Sequence, residues 1–397
     1  MGCYKGGYYC GIIFIYDRRS IYAMNILILS ASTGGGHMRA SRAIESYMNE
    51  NYKSANVKII DSLLYINPIL NKTVTSGYIS LATRTPKIYG KIYELTNKED
   101  RWSSFVSRLN NLFANKLLPL IEEFEPDVII TTHPFPTEMV SILKSKELVN
   151  IPLVCIMTDY APHKTWVNPK VDAYIVSNDD MVNEMIKIGV KEEIIYPYGI
   201  PIEKVFFEKK DRDLVLNELE LNHNIPTILM MAGSFGVTNV FDIYEDILNI
   251  NRDFQIIVIT GKNKKLYDEF LNIIAESKKH TKLIYFTDEV NKFMQVSDII
   301  ITKPGGLTIT EALASNIPMA VFDAIPGQEE ENAEFLINHN MAIRLEMGQS
   351  CDKVIEELLI NKEKLNGMKE ACKSFNKNDS SKNICALINE LIENNKF

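Results

Sequence analysis

The sequence predicts an α/β protein built from two parallel-sheet units, and three observations carry that reading. Short β-branched apolar runs ending in a glycine turn and followed by helical periodicity occur near residues 25–37, 227–236 and 297–306. A glycine–proline hinge, Tyr198-Gly199-Ile200-Pro201-Ile202, lies between the first of these and the other two. The chain has 397 residues, 46% hydrophobic and 24% charged, ordinary for a globular α/β protein and long enough for two domains. The expected division is a first domain over 24–198, a linker over 199–204 and a second domain over 205–397.

Residues 1–23 precede the first strand. Their apolar core is only five residues long (11–15), and Asp17-Arg18-Arg19 follows it, whereas a secretory signal carries its basic cluster in front. Met24 is expected to be the natural start and 1–23 an N-terminal extension that is not native; the other reading is an aromatic arm touching a membrane. A net charge of −8 argues against a general nucleic-acid binder. The six cysteines show no CxxC spacing, so neither a disulfide framework nor a zinc site follows, and a reducing cytoplasm is expected. No run of 18 or more apolar residues is present.

The strand at 25–30 runs into Gly34-Gly35-Gly36-His37 and a helix to about residue 52. A dinucleotide fingerprint is one reading, with Asp61 after the second strand on a ribose, but Arg39 stands where that fingerprint needs glycine. A histidine in this loop suits proton transfer, since a helix N-terminus keeps imidazole neutral. The bland alternative is a histidine that only caps the helix. Between residues 82 and 120, seven Lys and Arg face three acidic residues, with aromatic residues interleaved. That pattern fits an anionic membrane surface or, equally, solvated helical faces over a core.

Strands at 126–131 and 151–157 deliver His133 and then Asp159, His163 and Trp166 at their C-terminal ends, where open α/β sheets place their sites. Asp159 and His163 lack a third ligand nearby, so no metal site is expected there. The acidic pairs Asp179-Asp180 and Asp211/Asp213 read as solvated charge rather than metal ligands.

In the second unit, a strand running into a glycine loop is expected over 227–236, further strands at 255–260, 282–286, 297–302 and 319–322, and helices at 307–315, 361–377 and 381–394, the last crossing back onto the first unit. The strand, Gly305-Gly306 turn and helix N-terminus together make an anion site: glycines admit close approach, and free N–H groups and the helix dipole attract negative charge. Glu311, about one turn further, suits the vicinal hydroxyls of a ribose, and Gln328-Glu329 suit a hydroxyl-rich sugar.

Here a resemblance becomes specific. KPGGLTITEA followed by PGQEEEN resembles the C-terminal half of the family-28 glycosyltransferases, within them the branch of monogalactosyldiacylglycerol synthases and processive diacylglycerol glucosyltransferases. TGGGH, THPFP and TDYAPHKTW resemble N-terminal segments of that branch, which usually has proline where Lys164 stands. The resemblance implies the GT-B architecture, two Rossmann-like domains facing across a cleft, and an inverting transfer of a hexose from a UDP-sugar to diacylglycerol. It implies His37 as general base. On the donor side it implies Gly233, Ser234, Gly305, Gly306 and Thr308 around the diphosphate. Phe286, Thr287 and Val290 would meet the uracil, Glu311 the ribose, and Gln328, Glu329 and Asn332 the hexose region. Gly35, Gly36, His133, Asp159, His163 and Trp166 would line the acceptor side, and Lys87, Lys91, Arg101 and Trp102 an anionic membrane. No metal or other cofactor and no nucleic acid is expected, and the cytoplasmic face of the membrane is the expected location. Three alternatives stay open: transfer of N-acetylglucosamine to a lipid-linked cell-wall precursor, a UDP-sugar epimerase, and a sugar-nucleotide-binding regulator without turnover. Glucose and galactose are not separated.

Overall fold

The computed structural model describes residues 24–32, 35–67, 85, 88, 90, 91, 93, 110–232, 239–346 and 348–395. The first half runs β1 (Met24–Ser30), α1 (Gly35–Asn51), β2 (Ala55–Asp61), α2 (Ser62–Ile66), α3 (Leu118–Phe124), β3 (Val128–Thr131), α4 (Pro134–Ser145), β4 (Leu153–Ile156), β5 (Ala173–Ile175), α5 (Asp179–Lys187) and β6 (Ile195–Tyr196). The second begins with α6 (Arg212–Glu218), β7 (Thr227–Met231), α7 (Val240–Leu248), β8 (Gln255–Ile259), α8 (Lys264–Ile274), β9 (Thr281–Ile284) and α9 (Val290–Val296). It ends with β10 (Ile299–Thr302), α10 (Gly306–Ala314), β11 (Met319–Val321), α11 (Gln328–Asn338), β12 (Ala342–Arg344), α12 (Cys351–Ile360), α13 (Lys362–Ser374) and α14 (Ser380–Asn395).

Two six-stranded sheets result, ordered β2-β1-β3-β4-β5-β6 and β12-β11-β10-β7-β8-β9. Every strand pairing within each sheet is parallel among the described residues, as at Ile26 with Val128 and Thr302 with Met231. Parallel strands covered on both faces need continuous apolar runs. That is why Ile26 to Leu29 and Ile299 to Ile301 are wholly buried.

Each sheet has one place where the strand order reverses. In the first it lies between β1 and β3, in the second between β7 and β10. Crevices open at the C-terminal ends of strands on either side of such a reversal. The loop into α1 leaves one, and the Gly305-Gly306 turn into α10 leaves the other.

The halves are joined beyond the linker. Gly199 has φ +90°, and a side chain there would run into Lys377. Its carbonyl accepts from Ser380 Oγ at 2.7 Å, and Ile200, Ile202 and Phe206 enter the core of the second half. From there α14 returns to the first sheet, where Ile384, Cys385 and Ile388 pack with Ile26 and Ile28.

Some boundaries differ from expectation. β9 stops at Ile284, two residues early, so Phe286 stands beyond the sheet. α13 stops at Ser374. The acidic pairs are exposed, as expected, and they also make contacts: Asp211 caps α6 through the Asp213 and Leu214 N–H groups. Asp179 pairs with Lys377 at 3.1 Å and Asp180 with His339 at 3.0 Å, both ties between the halves. The calls on residues 1–23, Lys87, Arg101, Trp102, Gly233 and Ser234 lie outside the described residues.

Candidate active site

The N-termini of α1 and α10 meet across the cleft. A Cβ on Gly36 would sit 3.3 Å from the Leu307 side chain. A Cβ on Gly306 would overlap the Thr158 carbonyl oxygen, whereas one on Gly305 would meet nothing within 4 Å. Close approach to a ligand was the expected reason for both glycines. At Gly306 the constraint is backbone of the other half.

His37 lies in the first turn of α1, its Nδ1 2.8 Å from the Thr132 carbonyl. A carbonyl only accepts, so Nδ1 carries the proton and Nε2 keeps its lone pair. The Thr158 hydroxyl is 2.9 Å from the same Nδ1. The His133 ring stands edge-on at 4.7 Å and Trp166 is 6.4 Å away. Burial pushes the His37 pKa down to about 4, partly opposed by the Thr132 carbonyl. Loss of water is therefore the main reason for neutrality, where the sequence suggested the helix dipole. Below the ring, Ser41 Oγ donates to the His37 carbonyl at 3.0 Å, and Thr132 Oγ1 donates to Ser30 Oγ at 2.8 Å.

The other two first-half histidines cap helical turns. His133 Nδ1 accepts from Phe135 N at 3.1 Å and His163 Nδ1 from Thr165 N at 3.2 Å. Burial lowers the pKa of both. His163 Nε2 donates to the Tyr93 carbonyl at 3.1 Å, and the Tyr93 hydroxyl donates to Glu331 at 2.8 Å in the other half. Trp166 is buried in the first-half core.

The turn after β4 also reaches across. Asp159 accepts from the Gln328 amide. Burial raises its pKa to about 6, the Gln328 bond working against that. Tyr160 N donates to Asn332 Oδ1 at 2.8 Å, and the Tyr160 hydroxyl is 3.0 Å from Thr310 Oγ1. Asn332 also donates to the Pro304 carbonyl at 3.0 Å. Both ends of that amide are thus engaged within the protein.

Glu311 is 2% exposed and pairs with Arg39 of α1 at 2.5 Å. Burial raises its pKa and Arg39 opposes the rise. Among the described residues its Oε2 is buried without a partner, a costly state for a carboxylate oxygen and one that a hydroxyl donor would relieve. Glu329 folds onto its own loop, accepting from Ile325 N at 2.9 Å. Phe286 is 46% exposed, with Lys262 Nζ 4.7 Å from its ring centroid. Thr287 accepts from Glu289 N at 2.9 Å, and Val290 opens α9. Thr308 is in the first turn of α10, and Lys91 is exposed. Among the described residues no three His, Cys, Asp or Glu side chains converge as metal ligands, and no helix is long and apolar enough to cross a membrane.

Sequence reasoning missed Arg39, Thr158, Tyr160, Thr310 and Tyr93 as cleft residues. Their partners lie far away in the chain, and no local pattern announces them.

Two parallel sheets whose reversal points face one cleft define a GT-B protein. The chain superposes on MurG from Acinetobacter baumannii with a TM-score of 0.60 at 12% identity, covering 92% of this chain and 99% of that one. For the S. aureus MnaA–UDP structure the TM-score is 0.59 at 14% identity, with 91% and 95% covered. At such identities the likeness concerns the fold. Residues 37–202 match the monogalactosyldiacylglycerol (MGDG) synthase family, and residues 227–384 match the glycosyltransferase family 28 C-terminal domain. The chain is 35% identical over 354 residues to the processive diacylglycerol beta-glucosyltransferase of Staphylococcus carnosus, covering 87% of each. It is 30% identical over 378 residues to the Bacillus licheniformis protein of the same name, covering 94% of this chain and 97% of that one. The chain belongs to this diacylglycerol glycosyltransferase branch of family 28 and is a sugar-transferring enzyme.

Proposed function

We propose that the protein transfers a hexose, glucose in preference to galactose, from a UDP-sugar to diacylglycerol at a membrane surface, with inversion and without a metal. The observation that carries this is the placement of a neutral His37, its Nε2 lone pair free of any described partner, opposite the N-terminus of α10. Glucose and the lipid acceptor are supported by the names of relatives at 30–35% identity.

The acceptor hydroxyl attacks the anomeric carbon from the face opposite UDP. Its proton passes to His37 Nε2 as the new C–O bond forms. The bond from the anomeric carbon to the diphosphate breaks, and UDP departs with the electron pair. The N–H groups and dipole at the start of α10 offset the charge on the leaving diphosphate. Nδ1–H on the Thr132 carbonyl holds the ring in the basic tautomer. Glu311 Oε2 takes a ribose hydroxyl, and Phe286 offers an exposed face to the uracil. Because Asp159 holds the Gln328 amide nitrogen, its oxygen is left to accept from a hexose hydroxyl. Membrane contact is supported by exposed Lys91 together with Ile88 and Leu112, 52% and 71% exposed.

Radiolabelled UDP-glucose or UDP-galactose, with and without diacylglycerol vesicles and with EDTA in parallel, tests the reading. Label should enter lipid from UDP-glucose, only with vesicles, and EDTA should not reduce it. UDP-sugar hydrolysed or epimerised in solution, with no label in lipid, would overturn it.

A further inference from the structure

We propose that the turn Thr158-Asp159-Tyr160 couples docking of the donor half to the setting of the His37 ring. The inference rests on His37 being the base. It names Thr158 as a positioning residue acting through His37.

All three consecutive residues touch the second half. The Thr158 carbonyl is seated on Gly306 so closely that no side chain fits there. Asp159 holds Gln328. Tyr160 bonds Asn332 through its backbone N–H and meets Thr310 through its hydroxyl, at 2.8 and 3.0 Å. Asn332 in turn holds the Pro304 carbonyl, directly ahead of Gly305-Gly306, at 3.0 Å. The turn therefore grips the segment on which the diphosphate is expected to rest. On its other side the same Thr158 places its hydroxyl 2.9 Å from His37 Nδ1.

A three-residue turn at a strand end cannot shift at one residue alone. If the second half swings away, the contacts at Gly306, Gln328 and Asn332 are lost together, and Thr158 loses the wall that fixes its carbonyl. The His37 ring then keeps only the Thr132 carbonyl on Nδ1. In the open molecule the ring is also wetter, which returns its pKa toward the ordinary value. A base set only when the halves are docked gives no proton transfer while the bound sugar is open to water.

The test uses the full chain with ¹⁵N-labelled histidine. Long-range proton–nitrogen spectra report the tautomer and titration of His37, its signal identified by its loss in His37→Ala. Unaltered protein should show one tautomer, Nδ1–H, neutral to about pH 4. Gly306→Ala should keep Nδ1–H on the Thr132 carbonyl but raise the His37 titration toward 6.5, the ordinary value. Gly305→Ala, where a Cβ meets nothing within 4 Å, should keep the unaltered spectrum. Thr158→Val should leave the proton on Nδ1, where the Thr132 carbonyl holds it, but should shift the His37 Nδ1–H resonance and lower kcat about tenfold with the UDP-sugar KM within about twofold, and Thr158→Ser should restore both. Unaltered His37 spectra in Thr158→Val, or a raised KM with kcat unchanged, would overturn the coupling; should Gly306→Ala not fold, Thr158→Val decides. The spectra need no turnover. Absence of hexose transfer by the unaltered protein would refute the functional reading while the spectra still judge the coupling.

Discussion

Replacing Asp159 with asparagine should make the unliganded protein more stable and less active. The carboxyl lies between the halves, and burial raises its pKa from 3.8 to about 6. At pH 8 it is ionised folded and unfolded, and the folded state bears the cost of the buried charge. A difference of that size corresponds to about 3 kcal/mol. The cost is absent when the carboxyl is protonated in both states, grows as pH rises from about 4 to about 6, and is constant above that. Asparagine keeps an oxygen for the Gln328 amide but carries no charge, so it gives up the penalty and also the charge-assisted bond. Urea unfolding followed by circular dichroism should show the variant more stable by about 3 kcal/mol at pH 8 and by only about 0.5 kcal/mol at pH 4. Turnover at pH 8 should fall, because Gln328 is held less firmly. A variant no more stable at pH 8, or equally favoured at both pH values, would refute the electrostatic account of this cleft.

Three further outcomes follow from the same geometry. Glu311→Ala should weaken UDP binding about 10- to 100-fold in a calorimetric titration, the worth of a hydrogen bond to a charged group; unchanged affinity would remove Glu311 from the ribose. Phe286→Ala should weaken UDP about tenfold or more while leaving unfolding unchanged, since its ring is half exposed and base stacking on an aromatic is worth about 1–3 kcal/mol. The His37 imidazole resonances should not titrate between pH 8 and pH 5, because the ring gains its proton only near pH 4; an acid limb of kcat/KM in that range belongs to the raised carboxyls of Asp159, Glu311 and Glu329. A His37 titration at an ordinary histidine pKa would contradict the burial of the base.

Much of the architecture is legible in the chain because buried parallel strands need unbroken apolar runs. NILIL and SDIIIT announce β1 and β10, and the glycines after them announce α1 and α10. The cleft positions of His37 and Glu311, though not their roles, were legible because each follows such a turn at a fixed distance. What was not legible depends on the other half of the molecule. Nothing around Gly306 tells that a carbonyl from residue 158 excludes its side chain. Arg39 was visible only as a residue that spoiled a dinucleotide fingerprint, and the structure gives it the Glu311 carboxylate. His133 and His163 read as site residues from their strand-end positions, yet each also caps the helical turn that follows it. The cap at Asp211 could have been found, since an aspartate just before a helical run signals a helix start.

The central claim is that His37 takes the proton from the acceptor while the second half alone holds the nucleotide. Single-turnover transfer of labelled glucose to diacylglycerol by His37→Ala, paired with its UDP affinity, tests this most directly. The account predicts transfer slowed by about 10²- to 10⁴-fold with UDP affinity within about twofold of the unaltered protein. Near-normal transfer would take His37 out of the mechanism, and a parallel loss of UDP affinity would place it on the nucleotide instead.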